Sequence, residues 1–162
     1  MDKVITEATL LAGDLIFQQS IREHARALVK AGKKVFYYHW DFPNPWPAPF
    51  LGGTAHHFLD LLFVFQNLHD ICPNDLSRKV GEDAGRYWLS FAAKGKPDGW
   101  KEYKDGIVAV VDPNEGWVQR TVEEDRRIPY RREDRWDLIA KVQPYGQVLG
   151  DQIANRRIKF WI

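Results

Sequence analysis

The fold of this chain is decided by residues 34–65, KVFYYHWDFPNPWPAPFLGGTAHHFLDLLFVF, which predict a strand, a long loop and a helix in succession. Residues Lys34–Trp40 are rich in Val, Phe and Tyr, which is typical of a buried strand. Prolines at alternate positions from 43 to 49 block the hydrogen bonding of helix and sheet, so residues 41–55 form a structured loop. From His57 onward, apolar residues recur at helical spacing and predict a helix.

The N-terminal part of the chain predicts helices ahead of the strand. A short helix is expected from Thr6 to Ala12, interrupted by Gly13. Asp14 is then expected to cap a second helix, because its side chain can accept a hydrogen bond from the first turn. The apolar residues of this second helix keep helical spacing until Gly32, which is a typical C-terminal stop.

The C-terminal half predicts a long helix, a hairpin and a shorter helix. The long helix begins at residue 74 or 75 and ends at Ala93, before a glycine and a proline. Strands are predicted at Ile107–Val111 and Trp117–Val122, joined by a turn. Residues 123–135 alternate in charge and predict a solvated, ion-paired segment, and a helix is expected over Asp134–Val142.

Composition excludes several classes of protein. The 162 residues include 23 Lys and Arg against 22 Asp and Glu, so the net charge of +1 gives no basic footprint for nucleic acid or an anionic membrane. The hydrophobic fraction of 44% indicates a folded domain and not a disordered tail.

The cysteine count and the length of the apolar runs exclude further classes of protein. Cys72 is the single cysteine in the sequence, which excludes an intrachain disulfide and a cysteine-based zinc cluster. No apolar run is long enough for a membrane-spanning helix, and the N-terminus carries no secretory signal pattern.

The histidine pair after the loop is the candidate site. His56 and His57 follow a strand and a long loop, and loops at the carboxyl ends of strands are where α/β folds place their chemistry. Asp60 lies three residues beyond His57, on the same face of the predicted helix. One histidine and one carboxylate are too few to hold a metal ion, so no metal or cofactor is expected. A metal-dependent hydrolase that also uses His39 is the weaker alternative.

The residues 53–65, GTAHHFLDLLFVF, resemble the catalytic-histidine segment of type-B carboxylesterases and cholinesterases. Segments on either side of these residues also resemble the family, and they occur in the same order as in the family. Residues 13–17 resemble the family pattern G-D-x-x-F, residues 34–40 its strand, and residues 87–97 its Y-W-x-x-F-A-x-x-G-x-P pattern. The resemblance assigns residues 1–145 to the C-terminal part of a carboxylesterase type-B domain and leaves residues 146–162 as a tail.

The resemblance implies an α/β fold, namely the C-terminal fragment of an α/β-hydrolase with few strands, flanking helices and a C-terminal hairpin. It implies that His57 is the general base of a Ser–Glu/Asp–His triad, supported by Asp60 and His56. Asp60 is equally consistent with a carboxylate favoured by the helix dipole. Trp46 and Phe50 are candidates to line the substrate pocket, or they anchor the loop as buried aromatics.

The resemblance also implies what the chain lacks. Its three serines stand outside any G-x-S-x-G motif, and no His-Gly-Gly-Gly run supplies oxyanion donors. The chain is therefore expected to be inactive alone, and a longer form to hydrolyse a small-molecule carboxylic ester. The alternative is a non-catalytic binding or interaction module that self-associates through an exposed sheet edge. The compartment stays open, since members of this family are often secreted.

Overall fold

The computed structural model describes residue 7 and residues 10–48 and 51–142, which fall into two compact units. One unit combines the N-terminal residues up to Ala27 with the residues from Ile128 onward, and the other runs from Leu28 to Arg127. Phe50 and the predicted tail 146–162 lie outside the described residues.

The second unit contains a three-stranded mixed sheet in the order β1-β2-β3. The parallel strands β1 (Tyr38–Trp40) and β2 (Ile107–Asp112) pair with His39 opposite Val110, and β2 pairs antiparallel with β3 (Gly116–Thr121). The mixed sheet and its flanking helices confirm the predicted α/β class and the hairpin.

The first strand is shorter than predicted, with three residues in place of residues 34–40. The backbone upstream of it is still bonded, because Ala109 N–H donates to the Tyr37 carbonyl at 3.0 Å and Tyr103 N–H to the Val35 carbonyl at 2.8 Å. The second of these donors belongs to a turn and not to β2, so the regular ladder begins only at Tyr38.

Three α-helices and two short 3-10 helices (His69–Ile71 and Tyr103–Asp105) of the described residues belong wholly to the second unit. The α-helices are α2 (Leu59–Val64), α3 (Asp75–Lys94) and α4 (Val122–Arg126). The predicted long helix is confirmed as α3, whose first turn is capped by Asn74, which accepts a hydrogen bond from Ser77 N–H at 2.8 Å. Its last turn ends at Gly95 in the left-handed region, with φ at +69°.

The core of this unit lies between α2, α3 and the sheet. Its buried residues are Phe42, Trp46, Leu59, Phe63, Cys72, Val80, Ala84 and Val111. Gly85 of α3 faces the end of α2 and the residues after it, since a Cβ atom there would lie 3.7 Å from the Val64 carbonyl oxygen and 3.2 Å from Gln66 Nε2. Leu59 and Phe63 are almost fully buried, so α2 is anchored along one face.

The first unit corrects the expected helix break at Gly13. Gly13 is helical (φ −61°, ψ −42°), and a π-helical turn at Asp14–Gln18 leads directly into α1 (Gln19–Lys30). Asp14 is not a cap. Its carboxylate is fully buried and accepts hydrogen bonds from Arg132 Nη2 and Trp136 Nε1, each at 2.9 Å. These bonds hold the carboxylate inside the unit, so the helix continues through it. Gly32 ends α1 with φ at +72°, as predicted.

The charged segment 123–135 is mostly exposed and ion-paired, as predicted, but three of its charged residues are buried. Asp125, Arg131 and Glu133 are 1%, 4% and 6% exposed. Glu133 lies 3.5 Å from the buried guanidinium of Arg22, which pairs the charge inside the first unit. The helix expected at the end of this segment is present over residues 133–142.

The outer face of α2 is apolar and exposed. Phe58, Leu61 and Phe65 are 61%, 40% and 68% exposed. Within the described part of the chain, no helix has the length and apolar character that crossing a membrane requires.

Candidate active site

His57 lies at the end of the loop that leaves the carboxyl end of β1, two residues before α2. Its side chain is exposed, and its ring packs on the ring of Phe58 with 3.8 Å between centroids. Phe58 adopts a left-handed backbone with φ at +70°. This conformation costs a non-glycine residue about 1–2 kcal/mol and is concentrated at functional sites. The chain is thus turned sharply at the point where His57 faces solvent.

The loop before His57 is closed by Asn44. Asn44 N–H donates to the Thr54 carbonyl, and Gly53 N–H donates to the Asn44 carbonyl, both at 2.9 Å. The side chain of Asn44 accepts from Trp46 N–H at 3.0 Å through Oδ1, and its Nδ2 lies 3.4 Å from His56 Nε2. One buried asparagine therefore ties the start of the loop to the residues that precede the histidine pair.

His56 and His57 are adjacent but differ in environment. The ring of His56 is half-buried, and its Nδ1 lies 2.8 Å from the carbonyl oxygen of His57. The carbonyl of His56 accepts from Leu59 N–H at 3.2 Å. His56 thus bonds two backbone groups that follow it in the chain, the His57 carbonyl and the Leu59 N–H, whereas the ring of His57 is exposed.

Asp60 lies in the first turn of α2 and binds β1. Tyr38 Oη donates a hydrogen bond to Asp60 Oδ2 at 2.9 Å. Burial of Tyr38, together with the charge and hydrogen bond of Asp60, raises the pKa of the tyrosine hydroxyl above its ordinary value. The hydroxyl therefore stays protonated and remains a donor at neutral pH, which fixes the start of α2 against the strand.

Of the two residues expected to line a substrate pocket, Trp46 and Phe50, the structure describes only Trp46. Trp46 is 9% exposed, its Nε1 donates to the Ile71 carbonyl at 3.1 Å, and its ring contacts Phe63 with 5.0 Å between centroids. Trp46 also borders a groove of about 660 Å³ in the loop. The groove is lined by Asn44, Pro45, Trp46, Pro47, Ala48, Gly52 and Gly53. Phe50 lies outside the described residues.

His39 is separated from the histidine pair by its position on the strand. It is buried, and its Nε2 lies 3.4 Å from Asp125 Oδ2. Among the residues that the structure describes, no group of three or more His, Cys, Asp or Glu side chains is arranged to hold a metal ion. The structure thus brings His56, His57 and Asp60 to the entry of α2 and places His39 elsewhere.

Sequence reasoning missed Tyr38 and Asn44 as members of this site. A signal was available for each. A half-buried tyrosine hydroxyl requires a partner, and an acid opens the helix that follows its strand. An asparagine flanked by prolines in a loop is the natural residue to satisfy turn backbone groups.

These features define an α/β protein with an exposed histidine on a loop at the carboxyl end of a parallel strand. The model of the carboxylesterase family matches residues 2–127, and the chain belongs to that family. The match includes the whole segment from β1 through α2.

Two solved structures of a PNB esterase are similar to the chain. The first is 24% identical over 59% of this chain and 20% of its own, with a TM-score of 0.46. The second is 21% identical over 64% of this chain and 22% of its own, with a TM-score of 0.47. The chain spans about a fifth of the length of these structures. No curated protein matches the chain.

Proposed function

We propose that this chain supplies the histidine of a carboxylic ester hydrolase and that His57 is its general base. The observation that carries the proposal is the exposed ring of His57, on a loop from the carboxyl end of β1, within a segment that the carboxylesterase family matches. The nucleophilic serine and the triad acid would come from a further part of a longer protein. The substrate would be a small-molecule carboxylic ester.

In this function, His57 takes the proton of the serine hydroxyl as the oxygen attacks the ester carbonyl. It then donates that proton to the departing alcohol oxygen. Histidine suits both steps because it gains and loses a proton near neutral pH. The ring of His57 is exposed, so a serine hydroxyl from a further part of a longer protein could reach it, whereas His39 is buried.

Asp60 would act through position and not through contact with the substrate. Its bond from Tyr38 fixes the first turn of α2, which begins two residues after His57. The carboxylate also lies at the N-terminal end of a helix, where the dipole favours negative charge. Both effects stabilise the start of α2, so the dipole interpretation and the supporting role are compatible.

The serines of the chain do not offer a nucleophile beside His57. Each hydroxyl is already a donor close by in sequence, with bonds of 2.6, 2.7 and 2.9 Å: Ser20 to the Ile16 carbonyl, Ser77 to Asn74 Oδ1 and Ser90 to the Tyr87 carbonyl. Ser77 and Ser90 are buried. We therefore expect the isolated chain to hydrolyse esters no faster than free imidazole does.

The decisive experiment uses a longer protein that contains this chain and hydrolyses a chromogenic aryl ester. His57→Ala should lower kcat/KM by roughly 10⁴- to 10⁶-fold, as loss of a triad member does. His24→Ala is the matched control, because His24 is exposed on α1. An active His57→Ala with an inactive His56→Ala would move the role to His56, and activity in both would overturn the proposal.

A non-catalytic interaction module is the second candidate. It is favoured by the exposed apolar face of α2, formed by Phe58, Leu61 and Phe65, and by β1, which pairs with β2 alone among the described strands. Such a module should self-associate, so light scattering on a dilution series should show a mass above 18.9 kDa that falls with Phe65→Ser. A chain that stays monomeric at every concentration would remove this candidate.

A further inference from the structure

We infer that Asn44 holds His56 in its neutral Nδ1–H tautomer, and that this bonded pair positions the backbone of His57. The inference deepens the proposed function, since the importance of His57 rests on that proposal. The tautomer itself rests only on the polarity of the hydrogen bonds around two rigid groups.

The orientation of the Asn44 amide is fixed by the backbone. A backbone N–H can only donate, and Trp46 N–H lies 3.0 Å from one side-chain atom of Asn44, which must therefore be the oxygen Oδ1. The amide nitrogen Nδ2 then faces His56, and it carries donors only.

The same reasoning fixes the proton on His56. The carbonyl oxygen of His57 can only accept, and it lies 2.8 Å from His56 Nδ1, so Nδ1 carries the hydrogen. The other ring nitrogen, Nε2, lies 3.4 Å from Asn44 Nδ2 and accepts from it. Both nitrogens are satisfied only when the ring is neutral and protonated at Nδ1.

The hydrogen bonds of its ring give His56 a different chemical role from His57. A general base needs an available lone pair, and the single lone pair of His56 is directed at the Asn44 amide. Protonation of Nε2 would set one N–H against another in a half-buried site, which has no compensating bond. His56 is therefore a positioning residue, and the role of base falls to His57.

The positioning acts through the backbone that His56 holds. His56 bonds the His57 carbonyl, and Asn44 bonds the loop again at Gly53 and Thr54. Losing the side-chain bond should let the His57 peptide rotate while the loop stays closed. Misplacement of a catalytic group by about 1 Å costs up to roughly 10²-fold in rate. The loss should fall on kcat and not on KM.

The test is a nitrogen-15 NMR spectrum of the imidazole rings in the 162-residue chain. The ring of His56, assigned from the peak that His56→Gln removes, should show protonated Nδ1 and unprotonated Nε2 at neutral pH. His24, exposed on α1, is the internal reference for an unconstrained ring. A His56 ring protonated at Nε2, or one that exchanges tautomers as His24 does, would overturn the inference.

Asn44→Asp is the sharpest variant, because a carboxylate has the same shape and still accepts from Trp46 N–H. Its second oxygen accepts where the amide donated and would face the lone pair of His56 Nε2, so the spectrum of the neutral Nδ1–H tautomer should be lost. An unchanged His56 spectrum in this variant would also overturn the inference. Circular dichroism confirms the fold, and Asn44→Ser is the substitute if the aspartate variant does not fold.

The two proposals fail separately. The NMR result requires no hydrolysis, so it tests the Asn44–His56 pair whatever the outcome of His57→Ala. In the longer protein, His56→Ala removes the bond to the His57 carbonyl and should lower kcat by up to roughly 10²-fold with KM nearly unchanged. An unaltered kcat alongside an inactive His57→Ala would overturn the positioning role and leave the proposed function standing.

Discussion

The hydrogen bond between Tyr38 and Asp60 offers a quantitative test of how α2 is held. Tyr38→Phe removes one oxygen and keeps the ring, which contacts Trp88 and Trp117 with 5.3 and 6.0 Å between centroids. The aromatic packing therefore survives, and the change isolates the bond of 2.9 Å to the carboxylate.

The magnitude follows from the charge of the acceptor. A hydrogen bond to a charged group contributes about 1.5–3 kcal/mol, and Asp60 is half-buried, so its carboxylate regains only part of its hydration when the donor is lost. We expect Tyr38→Phe to lower the free energy of unfolding by about 1.5–3 kcal/mol. In the chain of 162 residues this corresponds to a fall in Tm of roughly 3–12 °C.

The assay is urea unfolding of the parent chain, Tyr38→Phe, Asp60→Asn and the double variant. A coupling energy of about 1 kcal/mol or more between the two sites is expected, because each single change removes the same bond. Tyr103→Phe is the matched control, since the described part of the structure gives its hydroxyl no carboxylate partner. A coupling below about 0.5 kcal/mol would refute the reasoning, since distant sites add within that margin.

Three further predictions concern pH, a buried charge and a turn. The raised pKa of Tyr38 means that the folded chain keeps a proton which the unfolded chain loses near pH 10, so this stability is complete below about pH 10 and falls above it. Tyr38→Phe should flatten that alkaline decline in a pH series of unfolding curves. Asp14→Ala should cost about 3–5 kcal/mol, because it leaves the Arg132 guanidinium without its buried carboxylate, and thermal unfolding measures it. Gly116→Ala should lower the free energy of unfolding by at least about 1 kcal/mol, because φ is +72° and the new Cβ would lie 3.3 Å from Val80 Cγ2. Urea unfolding measures this change.

Local signals account for the elements that the sequence predicted well. The helix α3 was predicted to within about a residue because Asn74 caps it, Gly95 stops it and its apolar residues keep one period. The hairpin of β2 and β3 was predicted from a turn between two β-rich runs. The break at Gly13 was wrong because the bonds that hold Asp14 come from residues 118 and 122 positions away, which no local pattern contains.

The sequence predicted where the candidate site lies but not the hydrogen bonds that hold its residues. His57 was expected to open a helix, but α2 begins two residues later because Phe58 is left-handed. The hydrogen bond of Tyr38 was not predicted because its partner Asp60 lies 22 residues away. The contact of Asn44 was not predicted because His56 lies 12 residues away. Helical or strand periodicity does not relate residues so far apart. The roles of His57, Asp60 and Trp46 at an active site stay predictions that the experiments above address.

The first unit has a consequence for the order in which the chain can fold during synthesis. The segment around Asp14 precedes the second unit in the chain, and Arg132 and Trp136, which bond its carboxylate, lie 118 and 122 residues after it. Residues 28–127, which form the second unit, leave the ribosome in between. The sheet and the loop that carries His57 can therefore assemble before the Asp14 carboxylate has its bonding partners, so the bonds that hold Asp14 form after the second unit is complete.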